Sequence, residues 1–245
     1  MEFPGPKFTQ AIKKDLRRLK NPEKAKILAR FFKTGKGEYG EGDVFLGLTV
    51  PQSRQLAKKY NGLTLAEIKK LLRSKVHEER LIALLILVER VQNTSEVSSG
   101  SSEVKRLIFD FYLENTKYIN NWDLVDLSAD KIVGAYLLGR DKSILLRLAR
   151  SNSLWERRIA VISTYQFIKQ LGDFEWTLRI AKMLLSDKHD LIHKAVGWML
   201  REVGKRDQQI EEGFLRKYYK NMPRTMLRYA IEKFDPKRRE FYLRK

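Results

Sequence analysis

The chain has no cysteine. That removes disulfides, thiolate zinc sites, iron–sulfur clusters and thiol nucleophiles, and it permits an intracellular location. Histidine is almost as scarce, with His77, His189 and His193 the only three. His189 and His193 have helical i,i+4 spacing. However, His189-Asp190-Leu191-Ile192-His193 is not a zinc-protease motif and no third ligand is evident, so no metal and no cofactor are expected. Long apolar runs are missing too. The longest, Leu81 to Val88, is far short of a membrane span, and Met1 to Lys20 lacks the apolar core of a signal peptide. The expectation is therefore a protein with no membrane partner, cytoplasmic (nucleoid-associated in a prokaryote) or nuclear in a eukaryote. Negative charge is also in short supply: 30 Asp and Glu face 49 Lys and Arg, for a net charge of +19. That excess points to nucleic acid first, and to an anionic membrane surface or acidic protein second.

What is present is helix. With 43% hydrophobic and 32% charged residues the chain folds, and its apolar residues recur at helical rather than strand spacing. Phe8, Ile12, Leu16 and Leu19 form one stripe. Asn21-Pro22-Glu23 reads as an N-cap followed by proline in the first turn. Thr49-Val50-Pro51-Gln52 and Thr64-Leu65-Ala66-Glu67 both fit capping boxes. Further helices are predicted at about 76–92, 103–118, 122–139, 142–150, 154–170, 174–186, 190–204, 208–220 and 223–234. The serine-rich stretch 93–102 reads as a mobile connecting loop.

The second half contains an internal repeat. Arg158-Ile159-Ala160-Val161, His193-Lys194-Ala195-Val196 and Arg228-Tyr229-Ala230-Ile231 recur at a 35-residue period. Paired helices at this period stack into a solenoid, the small alanine allowing close approach. Tetratricopeptide signature residues are out of place, which favours a HEAT-like array over that alternative. The predicted architecture is all-α: an α-solenoid of HEAT-like helical repeats with a concave basic surface. It is read as a single domain over 1–245, with N-terminal helices 7–34, a glycine-rich loop 35–47, repeats over about 49–234 and a basic C-terminal tail 235–245. A monomer is sufficient for this reading.

Three places could carry chemistry. In Asn120-Asn121-Trp122-Asp123-Leu124-Val125-Asp126, Trp122 and Asp126 share a helix face. Trp155-Glu156-Arg157-Arg158 opens the helix of the first clear repeat. In His193 to Arg201, the residues Lys194, Trp198 and Arg201 fall along one face. A carboxylate facing a polyanion repels phosphate, so Asp126 needs a chemical reason to be there. Spacing alone equally allows core tryptophans, a dipole-complementing aspartate and solvated arginines.

These residues bring a family into view. The chain resembles the AlkD-type alkylpurine DNA glycosylases of the DNA alkylation repair, HEAT-like repeat family. The resemblance runs from Asn21-Pro22-Glu23-Lys24-Ala25 through Phe45-Leu46-Gly47 and Pro51-Gln52-Ser53-Arg54-Gln55-Leu56 to the Trp122–Asp126 motif and Trp155-Glu156-Arg157-Arg158. It is closest at Lys194-Ala195-Val196-Gly197-Trp198-Met199-Leu200-Arg201-Glu202. It implies Asp126, Trp122 and Trp198 as catalytic residues and Arg158 as a cleft arginine on a backbone phosphate. Lys194, Arg201, Trp155 and Phe31 would complete the DNA contacts, although Phe31 stands where a tyrosine is expected and so lacks the hydroxyl. The implied partner is double-stranded DNA containing alkylated purines, and the implied reaction is hydrolysis of the N-glycosidic bond of 3-methyladenine or 7-methylguanine without base flipping. No lysine is singled out as a Schiff-base nucleophile, so lyase action is not expected. The competing expectations are a non-catalytic scaffold for damaged or branched DNA and an interaction solenoid for an acidic protein.

Overall fold

Most helices begin where the sequence supplies a cap. In the computed structural model, which describes residues 7–94 and 101–244, α1 (Lys7–Arg18) is followed by α2 (Pro22–Phe31). The Asn21 side chain accepts from Lys24 N at 3.0 Å, and Pro22 needs no partner for its missing amide hydrogen. Both predicted capping boxes are formed, opening α3 (Val50–Lys59) and α4 (Leu65–Leu72). There follow α5 (His77–Asn93), α6 (Ser101–Glu114) and the short α7 (Trp122–Asp126). The chain divides into two compact units between Ser128 and Ala129.

The first unit is organised around α5. Leu81 to Val88 are all buried, so the middle of this helix is apolar on every side, and the helix packs against α3, α4, α6 and α7. Ile12 and Leu16 of the predicted first stripe are fully buried, whereas Leu19 is partly exposed; the Phe8 side chain lies outside the described residues. The glycine-rich loop is held to the start of α5. Val44 donates to the Lys75 carbonyl and accepts from His77 N, both at 2.9 Å, making the isolated bridge Val44–Val76; among the described residues no longer strand occurs. The buried Glu78 carboxylate accepts the amides of Leu46, Gly47 and Leu48 at 2.8–3.2 Å. Gly47 sits at φ +90°, and a Cβ there would overlap the Asn21 carbonyl oxygen, so only glycine brings the loop this close to α2.

The second unit contains a π-helical stretch (Asp130–Gly134) leading into α8 (Ala135–Leu137), then α9 (Ser143–Ala149), α10 (Leu154–Ser163), α11 (Tyr165–Leu171) and α12 (Glu175–Met183). It continues with α13 (Asp190–Gly204), α14 (Gln208–Tyr218), α15 (Arg224–Ala230) and α16 (Pro236–Leu243). The 35-residue repeat is present here. Ala160, Ala195 and Ala230 lie on α10, α13 and α15, all 0% exposed, and α13 packs on both of the others. Gly197 extends the same logic: a Cβ there would overlap the Met226 carbonyl and the Tyr229 side chain.

Several predicted boundaries differ. The helix expected over 122–139 is broken after Asp126, where Ser128 Oγ bonds the Leu124 carbonyl at 2.5 Å and Tyr112 Oη at 2.9 Å, and the chain resumes as the π-helical stretch. The helix expected over 154–170 is divided at Thr164, whose hydroxyl donates to the Val161 carbonyl at 2.7 Å. The region 235–245, expected as a tail, holds α16, capped by Asp235. Of the serine-rich loop, residues 95–100 lie outside the described residues, and α6 begins earlier than expected, at Ser101.

Candidate functional site

The first candidate pair is built on α7. Asn121, completely buried, caps the helix by accepting from Trp122 N at 2.8 Å. Trp122 and Asp126 follow one turn apart, both only partly exposed. The indole is held by a run of rings. It stacks on Phe32 (5.1 Å between centroids, 12° between planes) and meets the edge of Phe31 at 5.8 Å. Phe32 stacks in turn on Phe45 at 5.0 Å, and Phe45 on the His77 imidazole at 4.4 Å. Each such pair contributes about 0.5–1.5 kcal/mol beyond area burial, so Trp122 has little rotational freedom. Phe31 itself is 60% exposed, an aromatic edge offered to solvent beside the indole.

Beneath this stack lies a buried polar network that the sequence did not reveal. His77 Nε2 is 2.8 Å from Asp123 Oδ2, and its Nδ1 is 3.3 Å from Asp43 Oδ2. Arg80 donates to Asp43 and, at 2.9 Å, to Asn120 Oδ1. Burial works against a charged His77, but the Asp123 charge and the hydrogen bonds to Asp123 and Asp43 outweigh it and raise its pKa to about 8. Burial likewise opposes ionisation of Asp43, yet the His77 bond and the Arg80 charge win and hold its pKa below the usual value. In the sequence Asp123 stands inside the motif with no role of its own, and His77 is simply one of three histidines. An aspartate between Trp122 and Asp126, and a histidine four residues before the apolar run Leu81 to Val88, do not by themselves pair residues far apart in the chain.

The candidates of the second unit are engaged within it. Arg158 is 4% exposed and donates to the Leu191 carbonyl, tying α10 to the start of α13. Trp198 is half-buried; its Nε1 donates to Glu202 Oε1 at 3.1 Å and its ring lies 6.1 Å from that of Tyr165. Lys194 pairs with Asp190 at 2.6 Å, and Arg201 with Glu232. Trp155, also half-buried, is in the first turn of α10, which Ser153 caps. Partly exposed pairs such as Lys194–Asp190 are worth only about 0–1 kcal/mol, so a phosphate can compete for these cations. Arg158 differs, because at 4% exposed it has little surface left for a ligand.

The two other histidines do structural work. His189 Nδ1 accepts from Leu191 N at 3.1 Å as the N-cap of α13, and burial lowers its pKa. His193 Nε2 bonds the Asp187 carbonyl at 2.5 Å. Among the described residues, no cluster of histidine and carboxylate side chains is placed to hold a metal ion, and no helix is long and apolar enough to cross a membrane.

An all-α chain with a helical repeat, strongly basic, carrying a braced indole and a carboxylate on one helical turn, defines a class of protein suited to a polyanion. Comparison with known families narrows it. The chain matches the family model of the DNA alkylation repair enzymes over residues 12–234 and belongs to that family. Among solved structures it is similar to a protein described as a predicted DNA alkylation repair enzyme from Enterococcus faecalis, with 19% sequence identity and a TM-score of 0.69, over 89% of this chain and 97% of the other. At that identity the likeness speaks for the fold. A search of curated proteins gave no match.

Proposed function

We propose that this member of the DNA alkylation repair family is a monofunctional DNA glycosylase that hydrolyses the N-glycosidic bond of cationic alkylated purines, 3-methyladenine and 7-methylguanine, in duplex DNA. The observation that carries the reading is the Trp122–Asp126 pair: a carboxylate one helical turn from an indole locked by stacking, in a protein of net charge +19. Alkylation at N3 or N7 makes the base cationic, so it departs neutral and needs no general acid. Positive charge then builds on the deoxyribose. Asp126 stabilises that charge and orients the attacking water, as preorganised electrostatics. The face of Trp122 packs on the sugar and attracts the same cation, a contribution of about 0.5–2 kcal/mol.

The family resemblance assigns the remaining roles. Trp198 is the second indole on the reacting sugar, Arg158 a phosphate contact, and Trp155, Lys194, Arg201 and Phe31 further contacts to DNA. It also implies that the lesion is removed while still stacked, so no deep base pocket is required and bulky cationic adducts are accepted. The acting form is a monomer without cofactor.

The test incubates the protein with methylated duplex DNA and quantifies free 3-methyladenine and 7-methylguanine. Release by the wild-type chain, abolished in Asp126→Asn with DNA affinity unchanged or slightly increased, is the expected result. DNA binding without release above background identifies a non-catalytic scaffold instead.

A further inference from the structure

We infer that His77 is a positioning residue for α7: held as an imidazolium between Asp43 and Asp123, it fixes the attitude of Trp122 and Asp126, and base excision falls when it gives up its proton. The inference deepens the glycosylase reading and rests on it for its catalytic half alone.

The argument begins with donor counting. His77 is 2% exposed, and each of its ring nitrogens faces a carboxylate, Asp123 at 2.8 Å and Asp43 at 3.3 Å. A neutral imidazole carries one N–H and serves only one of them, whereas the imidazolium serves both. Charge counting agrees. The Asp43, Asp123 and Arg80 side chains are 4%, 10% and 6% exposed. Without a proton on His77 this buried group carries a net negative charge; with it the group is neutral, and an uncompensated buried charge is costly. Arg80 Nη2 also lies 3.4 Å from Nδ1, a long contact that an unprotonated Nδ1 would accept and that repels the imidazolium, but its closer bonds go to Asp43 and, through Nη1, to Asn120. The neighbouring carboxylates on α5 are committed elsewhere, Glu78 to the amides of 46–48 and Glu79 to Lys13 at 3.5 Å. Phe32, which ends α2 as its C-cap, and Phe45 of the loop present only rings. A cavity of about 250 Å³ adjoins Asp43 and Arg80, and its rim adds Glu41, Arg73, Lys75 and Lys117. With Asp43 and Asp123 outweighing the burial of the ring, the pKa of about 8 puts the proton on at neutral pH.

Two routes connect the ring to the site. Asp123 follows Trp122 in α7, and while its Oδ2 takes the His77 bond its Oδ1 accepts from Leu124 N at 2.8 Å, so the bond orients the helix itself. The stack His77–Phe45–Phe32–Trp122 carries the same constraint to the indole. Loss of the proton removes one of the two carboxylate bonds and leaves Asp43 and Asp123 repelling each other across a neutral ring.

The wild-type chain tests the first half. Long-range ¹H–¹⁵N spectra of its imidazoles, with His189→Gln and His193→Gln for assignment, are expected to show His77 protonated on both nitrogens at pH 7 and titrating near pH 8. A single-nitrogen proton at pH 7 overturns the inference. A chain with Trp155, Trp176 and Trp198 replaced by Phe reports on Trp122 alone. Its fluorescence is expected to change with the same midpoint and to lose that transition in His77→Gln, or to shift it to lower pH in Asp43→Asn should His77→Gln not fold. A transition unmoved by either substitution overturns the positioning role. The second half is read in single-turnover excision at saturating protein. The rate is expected to stay nearly flat below pH 7 and fall about tenfold by pH 9 with DNA affinity little changed, in line with the loss of one proton near pH 8. Excision that ignores pH across this range overturns it. If nothing is excised at any pH while Trp122 still follows His77, the positioning stands and the glycosylase reading fails.

Discussion

Glu211 is a side chain whose ionisation the fold strongly opposes. It is 1% exposed, its Oε1 has no hydrogen-bond partner, and it packs so closely on Gly204 that a Cβ there would overlap the carboxyl. Burial, reinforced by the Glu212 charge and only partly offset by Arg201, raises its pKa from 4.5 to about 9. The folded state therefore keeps a proton that the unfolded chain releases at its ordinary carboxylate pKa. Because the folded form binds more protons between these limits, stability falls as pH rises from about 4.5 to about 9. At about 1.4 kcal/mol per pH unit, the loss by pH 7 is about 3 kcal/mol. Glu211→Gln removes this dependence and keeps the shape, so it is expected to stabilise the protein at pH 7 by about 2–3 kcal/mol, less whatever the amide loses in hydrogen bonding. The assay is urea unfolding at pH 6, 7 and 8, followed by tryptophan fluorescence. Trp155, Trp176 and Trp198 all lie in the same unit as Glu211. The difference between variant and wild type should widen by about 1.4 kcal/mol per pH unit. A difference that does not change with pH, or a destabilised variant, refutes the reasoning.

Two further expectations concern the loop and the partner. Gly47→Ala combines φ +90° with overlap on the Asn21 carbonyl and is expected to cost about 2–4 kcal/mol, whereas Gly37→Ala, at φ +78° in open space, should cost about 1 kcal/mol; thermal melts of the two variants give the comparison. DNA affinity measured from 50 to 200 mM salt should fall with a log–log slope of about −4 or steeper, since each neutralised phosphate contributes about −0.9; a flat response argues against a duplex-binding surface.

Much of the architecture was legible because helix signals are local. Caps at Asn21, Thr49 and Thr64 act within four residues, and each is formed as read. The 35-residue repeat was legible for a related reason: alanine at 160, 195 and 230 is a packing requirement, and packing requirements recur with the element. Helix interruptions were not. Ser128 and Thr164 divide predicted helices by bonding carbonyls three or four residues back, and the same residue types sit inside unbroken helices elsewhere, as Thr177 does in α12. The Trp122–Asp126 pairing could be placed from spacing, but not what braces it. Phe32, Phe45 and His77 come from three separate segments, and only the tertiary fold stacks them. Likewise the burial of Arg158 depends on where α13 begins, which lies thirty residues and more beyond it.

The motif of α7 contains two aspartates with the same charge, and the structure gives them opposite conditions. Asp123 is 7% exposed and bonded to His77; Asp126 is more open. Removing the charge of Asp123 leaves a buried imidazolium with one carboxylate fewer, and breaking such a pair costs about 3–5 kcal/mol when one partner is simply deleted. Asparagine keeps an acceptor of the same shape, so Asp123→Asn is expected to cost less, about 2 kcal/mol, visible as a lowered melting temperature and as a fall in the titration midpoint of His77. Asp126→Asn alters a partly solvated charge in a strongly basic protein and is expected to change stability by under about 1 kcal/mol. The two variants should therefore separate folding from chemistry. Asp123→Asn lowers stability, and lowers excision through a misplaced α7; Asp126→Asn abolishes excision in a chain that melts like the wild type. Equal melting temperatures for the two variants would contradict the buried network, and a full excision rate in Asp126→Asn would remove the carboxylate from the mechanism.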